Sequence, residues 1–169
     1  MSTANNERST AGGRPAATCV VTLSQEEVEI AAMIGCRRRA ESKARGRIDN
    51  HGLGKADLWA IDIEGAAAEM AYCKFRGKFW SGSVNSFKGP DCGQNVQIRS
   101  THHDYGCLII RHQDSDNDIY VLLVGVCPTF TVCGWIKGVD GKSEEFAQSP
   151  NGRPPAFFIP QHKLTKFKP

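Results

Sequence analysis

At 169 residues and 40% hydrophobic, the chain can bury one core of ordinary size. A formal charge of +3 excludes a polycation, and no apolar run reaches the roughly 20 residues of a membrane span. The opening stretch MSTANNERSTAGGRPAAT lacks the apolar centre of a signal peptide.

Residues 1–17 are rich in Ser, Thr, Asn, Gly and Ala without periodicity, which predicts a disordered tail and leaves 18–169 as a single domain. TCVVTL reads as a short strand or extended lead-in. Ser24 and Glu27 then form a capping box that opens a helix through Ile30, Met33 and Ile34. The helix ends in a basic arm: Arg37, Arg38, Arg39, Lys43, Arg45 and Arg47 stand against the single acid Glu41. That arm carries +5, so the rest of the chain carries −2. Such a concentration suits phosphate backbones or an acidic partner, and equally a solvated helix face.

GRIDNHGLG, with three glycines, predicts a loop. A second helix follows over about Lys55 to Arg76, where Leu58, Ile61, Gly65, Ala68, Tyr72 and Phe75 recur at steps of three and four and Gly77 stops the run. WSGSVNSFKGPDCG is rich in turn residues, with SVNSF as a candidate short strand. The period then changes to two. In VQIRST, Val96, Ile98 and Ser100 share one face while Gln97, Arg99 and Thr101 share the other. CLIIR and IYVLLVGV read as strands buried on both faces with DSDND as a hairpin turn between them, and FTVCGWIKG as a further strand. A Pro-punctuated end with one apolar segment, AFFI, is expected to pack back on the sheet. Two helices followed by four or five strands give an α+β (mixed α/β) class with a mixed four- to five-stranded sheet.

Seven cysteines without a CxxC pair predict free thiols in a reducing cytoplasm. Cys92, His102, His103 and Cys107 match no compact zinc spacing, and Asp114, Asp116 and Asp118 lack the glycine and distal glutamate of a calcium loop. One constellation does suggest chemistry. Glu69 lies beside the apolar stripe of the second helix, with Glu64 as an alternative, Asp91 follows the Gly89-Pro90 turn, and Gln97 and Arg99 share a strand face. Oxygen donors brought together in this way can hold Mg²⁺ or Mn²⁺, with a cation beside them to offset phosphate charge. Taken singly, each is also an ordinary surface acid, turn residue or strand-face residue.

The ordered set GAAAEMAYC at 65–73, Asp91, VQIRST at 96–101, YVLLVG at 120–125 and GW at 134–135 resembles the PD-(D/E)xK, or restriction-endonuclease-like, nuclease superfamily. Within that superfamily it is similar to small phage and environmental proteins, over about residues 60–165. The resemblance implies a restriction-endonuclease-like core and metal-dependent hydrolysis of nucleic acid, with DNA as the expected partner. Carried over by position, Glu69, Asp91, Gln97 and the Ile98 carbonyl are metal ligands, with Glu69, Asp91, Gln97 and Arg99 the catalytic set. Gln97 stands where the family has an acid and Arg99 where it has lysine. Glutamine still offers an oxygen but no charge, and arginine keeps the positive charge but is a poor proton acceptor. The arm at 37–47 would grip the backbone. The alternative is an inactive nuclease-fold protein, phage-encoded and acting in the host cytoplasm, that binds nucleic acid or a host defence protein. Both versions admit a homodimer and neither involves a membrane.

Overall fold

The computed structural model describes residues 19–46, 57–84, 89–149 and 154–168. The expected tail 1–17, Arg47 with most of the loop after it, and most of SVNSF lie outside these residues. Among the described residues, no helix is long and apolar enough to cross a membrane.

Strand β1 (Cys19–Thr22) leads into helix α1 (Gln25–Ala44), which begins as expected. The Ser24 hydroxyl accepts from the Glu27 amide at 3.3 Å, and the Glu27 carboxylate accepts from the Ser24 amide at 2.7 Å. Lys74, at the end of helix α2 (Asp57–Phe75), pairs with Glu27 at 2.6 Å and donates to the Thr22 carbonyl at 3.0 Å. The start of one helix is thereby tied to the end of the other.

The two helices meet through small residues. Ala31, Gly35 and Ser42 are the buried positions of α1, whereas Ile30 and Met33 are about half exposed at 47% and 54%. A Cβ on Gly35 would lie 2.5 Å from the Ile63 Cα, so only glycine permits this approach. The predicted stripe on α2 widens in the structure: Ala66, Ala67, Ala68, Met70, Ala71, Tyr72 and Cys73 are all buried. Lying between α1 and a sheet, the second half of α2 is covered on every side.

That sheet has the order β1-β5-β4-β2, built from β2 (Val96–Thr101), β4 (Ile119–Val126) and β5 (Thr129–Lys137). β2 runs parallel to β4, and the remaining pairs are antiparallel, so the sheet is mixed. The structure departs from expectation at β3 (Leu108–Arg111). It does not form a hairpin with β4; it pairs with β7 (Ala156–Ile159), which also pairs with β6 (Ala147–Gln148), in a separate three-stranded sheet. The AFFI segment packs back on the first sheet as expected, and does so as a strand of a second sheet, with Phe157 and Ile159 against β4. A one-turn helix, α3 (Gly138–Gly141), follows β5.

β4 explains the layering. Val121 and Leu123 face the core shared with α1 and α2, while Tyr120, Leu122 and Val124 face a second core against Leu108, Ile110, Phe157 and Ile159. A central strand covered by helices on one face and a sheet on the other reads as one unbroken apolar run. β2 is left at the edge of the four-stranded sheet, and the candidate site forms along that edge.

Candidate active site at the sheet edge

Strand alternation decides which groups reach the edge. β2 directs the backbone of Val96 and Ile98 away from β4. The chain before it turns at Gly93 (φ +70°) and folds back against this edge. The Asp91 amide donates to the Val96 carbonyl at 2.8 Å, and the Ile98 amide donates to the Asp91 carboxylate at 2.7 Å. A turn aspartate is thus fixed one hydrogen bond from the middle of the strand. The Cys73 thiol, on α2, reaches the Asp91 carbonyl at 3.8 Å.

Glu69 enters from α2 with its side chain 11% exposed, and it is firmly held. Both of its oxygens accept from the Arg38 guanidinium, at 2.6 and 2.8 Å, and the Trp80 indole donates to one of them at 3.3 Å. Arg38 also donates through Nε to the Ser83 carbonyl at 3.0 Å. Burial, and then the charge of Glu69, raise the Asp91 pKa to about 7, against partial relief from the Ile98 amide and from Arg99 and Arg38. The Gln97 amide nitrogen donates to Asp118 at 3.1 Å and to the Gly89 carbonyl at 3.4 Å, which leaves its oxygen as the end available to a ligand. Arg99 donates to the Ile98 carbonyl at 3.1 Å and to Asp114 at 3.2 Å, and its guanidinium lies 5.2 Å from the Tyr120 ring centroid.

Glu69, Asp91, Gln97, Ile98 and Arg99 all line one polar cavity of about 320 Å³. Five positions selected from the sequence, on a helix, a turn and a strand, converge on a single space. Glu64 does not share it: its carboxylate accepts from the Cys127 amide at 3.0 Å and lines a different cavity. Arg99 also borders a second cavity of about 630 Å³, with Arg111, His103, Ser100 and Thr101 among its polar walls and Ile109 and Phe158 among its apolar ones. Arg99 thus stands on the wall of both cavities. His102 and His103 lie in the exposed segment after the strand with ring centroids 4.0 Å apart.

The basic arm divides. Arg37, Lys43 and Arg45 are exposed, and Arg45 pairs loosely with Glu41 at 3.6 Å. Arg38 and Arg39 turn inward, to Glu69 and to Asp62, the latter at 2.7 Å. Read as one solvent-facing strip, the arm conceals this. The signal was nonetheless present: Ala31, Gly35, Arg38 and Ser42 follow one another at steps of four, three and four, a helix stripe in which Arg38 is the single large residue. The DSDND turn also has a role that sequence reading missed. Asp114 and Asp118 are the partners of Arg99 and Gln97, and Asp116 pairs with Lys142 at 2.6 Å.

Among the described residues, no three His, Cys, Asp or Glu side chains gather so as to hold a metal ion. The proposed donors include only two acids; an amide oxygen and a backbone carbonyl complete the set. Oxygen donors of this kind suit a hard cation such as Mg²⁺ or Mn²⁺. The raised pKa of Asp91 marks a place where added positive charge would be stabilising. The donors fit such an ion on condition that Arg38 and Arg99 yield Glu69 and the Ile98 carbonyl. Compared with known protein families, curated proteins and solved structures, the chain shows no match.

Proposed function

We propose that this protein is a metal-dependent nuclease of restriction-endonuclease-like type, hydrolysing phosphodiester bonds at the cavity beside β2. The observation that carries the reading is the convergence of Glu69, Asp91, Gln97, Ile98 and Arg99 on one space. Glu69, Asp91, the Gln97 side-chain oxygen and the Ile98 carbonyl would hold Mg²⁺ or Mn²⁺. When bound, the ion would supply Lewis acidity toward a phosphoryl oxygen and a water of lowered pKa.

The chain's own residues do the rest. Asp114 and the Ile98 carbonyl fix the Arg99 guanidinium so that it can offset charge on a phosphate. Asp91, buried and close to Glu69, can keep a proton to near neutrality, so the free site is least repulsive to itself below pH 7 and most receptive to a cation above it. Arg111 lines the cavity that Arg99 also borders, so a nucleic-acid strand lying there would meet two cations. Exposed Arg37 and Lys43 are available to phosphates further out.

A second reading, a non-catalytic protein that binds nucleic acid, is favoured by the hold of Arg38 on both oxygens of Glu69. Supercoiled plasmid incubated with Mn²⁺ or Mg²⁺ separates the two. Hydrolysis predicts nicking that EDTA abolishes and that Asp91→Ala removes. Intact plasmid and intact single-stranded DNA and RNA in every arm would reject the enzyme and leave the binding protein.

A further inference from the structure

Resting on the metal-site reading above, we infer that Arg38 is a displaceable internal cation: it occupies Glu69 in the metal-free protein, competes with a divalent ion for that carboxylate, and is released into the cavity when the ion binds. Three observations lead there. Arg38 takes both oxygens of Glu69, at 2.6 and 2.8 Å, and Trp80 a further site on one of them, so the bidentate edge of the carboxylate is filled while the pair is closed. Glu69 is buried, so its ionised form needs a positive partner, and a divalent ion drawn onto its oxygens would repel the guanidinium already bound there. Arg38 lines the same cavity as Asp91, Gln97 and Arg99, so leaving Glu69 does not take it out of the site.

A second hold on Arg38 fixes where the guanidinium rests after release. Its Nε donates to the Ser83 carbonyl at 3.0 Å, a contact independent of Glu69, so the head group stays tethered at the cavity wall. A guanidinium freed from a carboxylate presents a planar pair of donors that matches a phosphate. Arg38 would then bind the nucleic acid only after the ion has taken Glu69. Metal and nucleic acid would bind with positive coupling, and by linkage each would strengthen the other by the same factor. Arg39, the next residue on α1, pairs with Asp62 instead and has no hold on Glu69.

The test titrates Mn²⁺ alone, by calorimetry, into the full chain and four variants. Arg38→Gln removes the competitor and should bind Mn²⁺ at least ten-fold tighter than wild type. Arg38→Lys keeps the charge but cannot occupy both oxygens, and should fall between them. Arg76→Gln removes an equal charge at an exposed position outside this cavity and should leave Mn²⁺ affinity within about two-fold, whereas a gain equal to that of Arg38→Gln would reduce the effect to bulk charge and overturn the competition. The double variant Arg38→Gln/Glu69→Gln buries no unpaired charge, guards against misfolding of the single variant, and should lose the tight site; retention of it would show that Glu69 is not the contested group. Mn²⁺ binding by wild type that Arg38→Gln leaves unchanged or weakens defeats the inference and leaves the metal site standing. Absence of Mn²⁺ binding in all five proteins defeats both. A short duplex oligonucleotide titrated with and without Mn²⁺ supplies the coupling: wild type should show it and Arg38→Gln should lose it.

Discussion

Asp91 gives the metal-free protein a loss of stability toward neutral pH. Its pKa is raised from the ordinary carboxyl value to about 7, so the folded state holds a proton that the unfolded chain has released. The associated stability is complete below the unfolded pKa of about 4 and is lost as pH rises through 7, at up to about 1.4 kcal/mol per pH unit. In EDTA, the urea midpoint should therefore fall between pH 5 and 8, and Asp91→Asn should flatten that fall and stabilise the protein at pH 8. An Asp91→Asn midpoint that declines with pH as wild type does would place the titrating group elsewhere. Gln97 offers a second test at this scale. The hydrogen bond that Gln97 makes was not legible, because its partner Asp118 is twenty-one residues away. Gln97→Glu would restore a metal-binding charge but set one carboxylate against another. On its own it should destabilise the metal-free protein by about 1 kcal/mol, the low end of the cost of a lost partner, because Gln97 and Asp118 are only partly buried. Gln97→Glu/Asp118→Asn should recover that loss and bind Mn²⁺ more tightly than wild type. Thermal melts and calorimetry on the pair check both halves, and a stable, weakly binding Gln97→Glu would contradict the geometry.

The close approach of α1 to α2 determines whether Arg38 can reach Glu69 at all. Gly35→Ala should gain helix propensity, yet its Cβ would lie 2.5 Å from backbone at Ile63. Overpacking of this kind costs about 1–3 kcal/mol, more than the roughly 1 kcal/mol that alanine gains over glycine in a helix. A denaturant midpoint at or above wild type would mean the helices are not in contact there. The basic arm gives a complementary expectation. Of its described residues, Arg37 and Lys43 face solvent without an ion pair to a described residue in the structure, so replacing both with alanine should flatten the salt dependence of duplex binding by up to about 1.8 in slope, at roughly 0.9 per phosphate contact. An unmoved slope would make the exposed side of α1 a solvated face. Both helices, β1 and β2 were readable because capping residues and periodicity are local signals. The small-residue seam through Gly35 was overlooked although its spacing stands in the sequence, because Ile30 and Met33 suggested a larger apolar face that the fold leaves exposed.

Over the whole molecule, the α+β class and the convergence of Glu69, Asp91, Gln97, Ile98 and Arg99 on one cavity were legible, while the division into two sheets was not. The apolar run of β4 told correctly that both faces are buried, but a run of that kind does not say what covers each face. The partner of β3 is β7, nearly fifty residues further on, and no local pattern marks such a pairing against a hairpin with the adjacent strand. The site was easier because its spacing is local: Asp91 returns to β2 through a short glycine turn, and alternation along VQIRST decides which side chains accompany it. What escaped was the surrounding charge network of Arg38, Asp62, Asp114 and Asp118, which only the packing of α1 and the connection between the sheets bring near. The most direct measurement is calorimetric titration of Mn²⁺ into wild type and Asp91→Ala at pH 8. A cation site built on Glu69, Asp91, Gln97 and the Ile98 carbonyl predicts one Mn²⁺ per chain in wild type and its loss in the variant. No binding by wild type, or the same binding by both proteins, would contradict it.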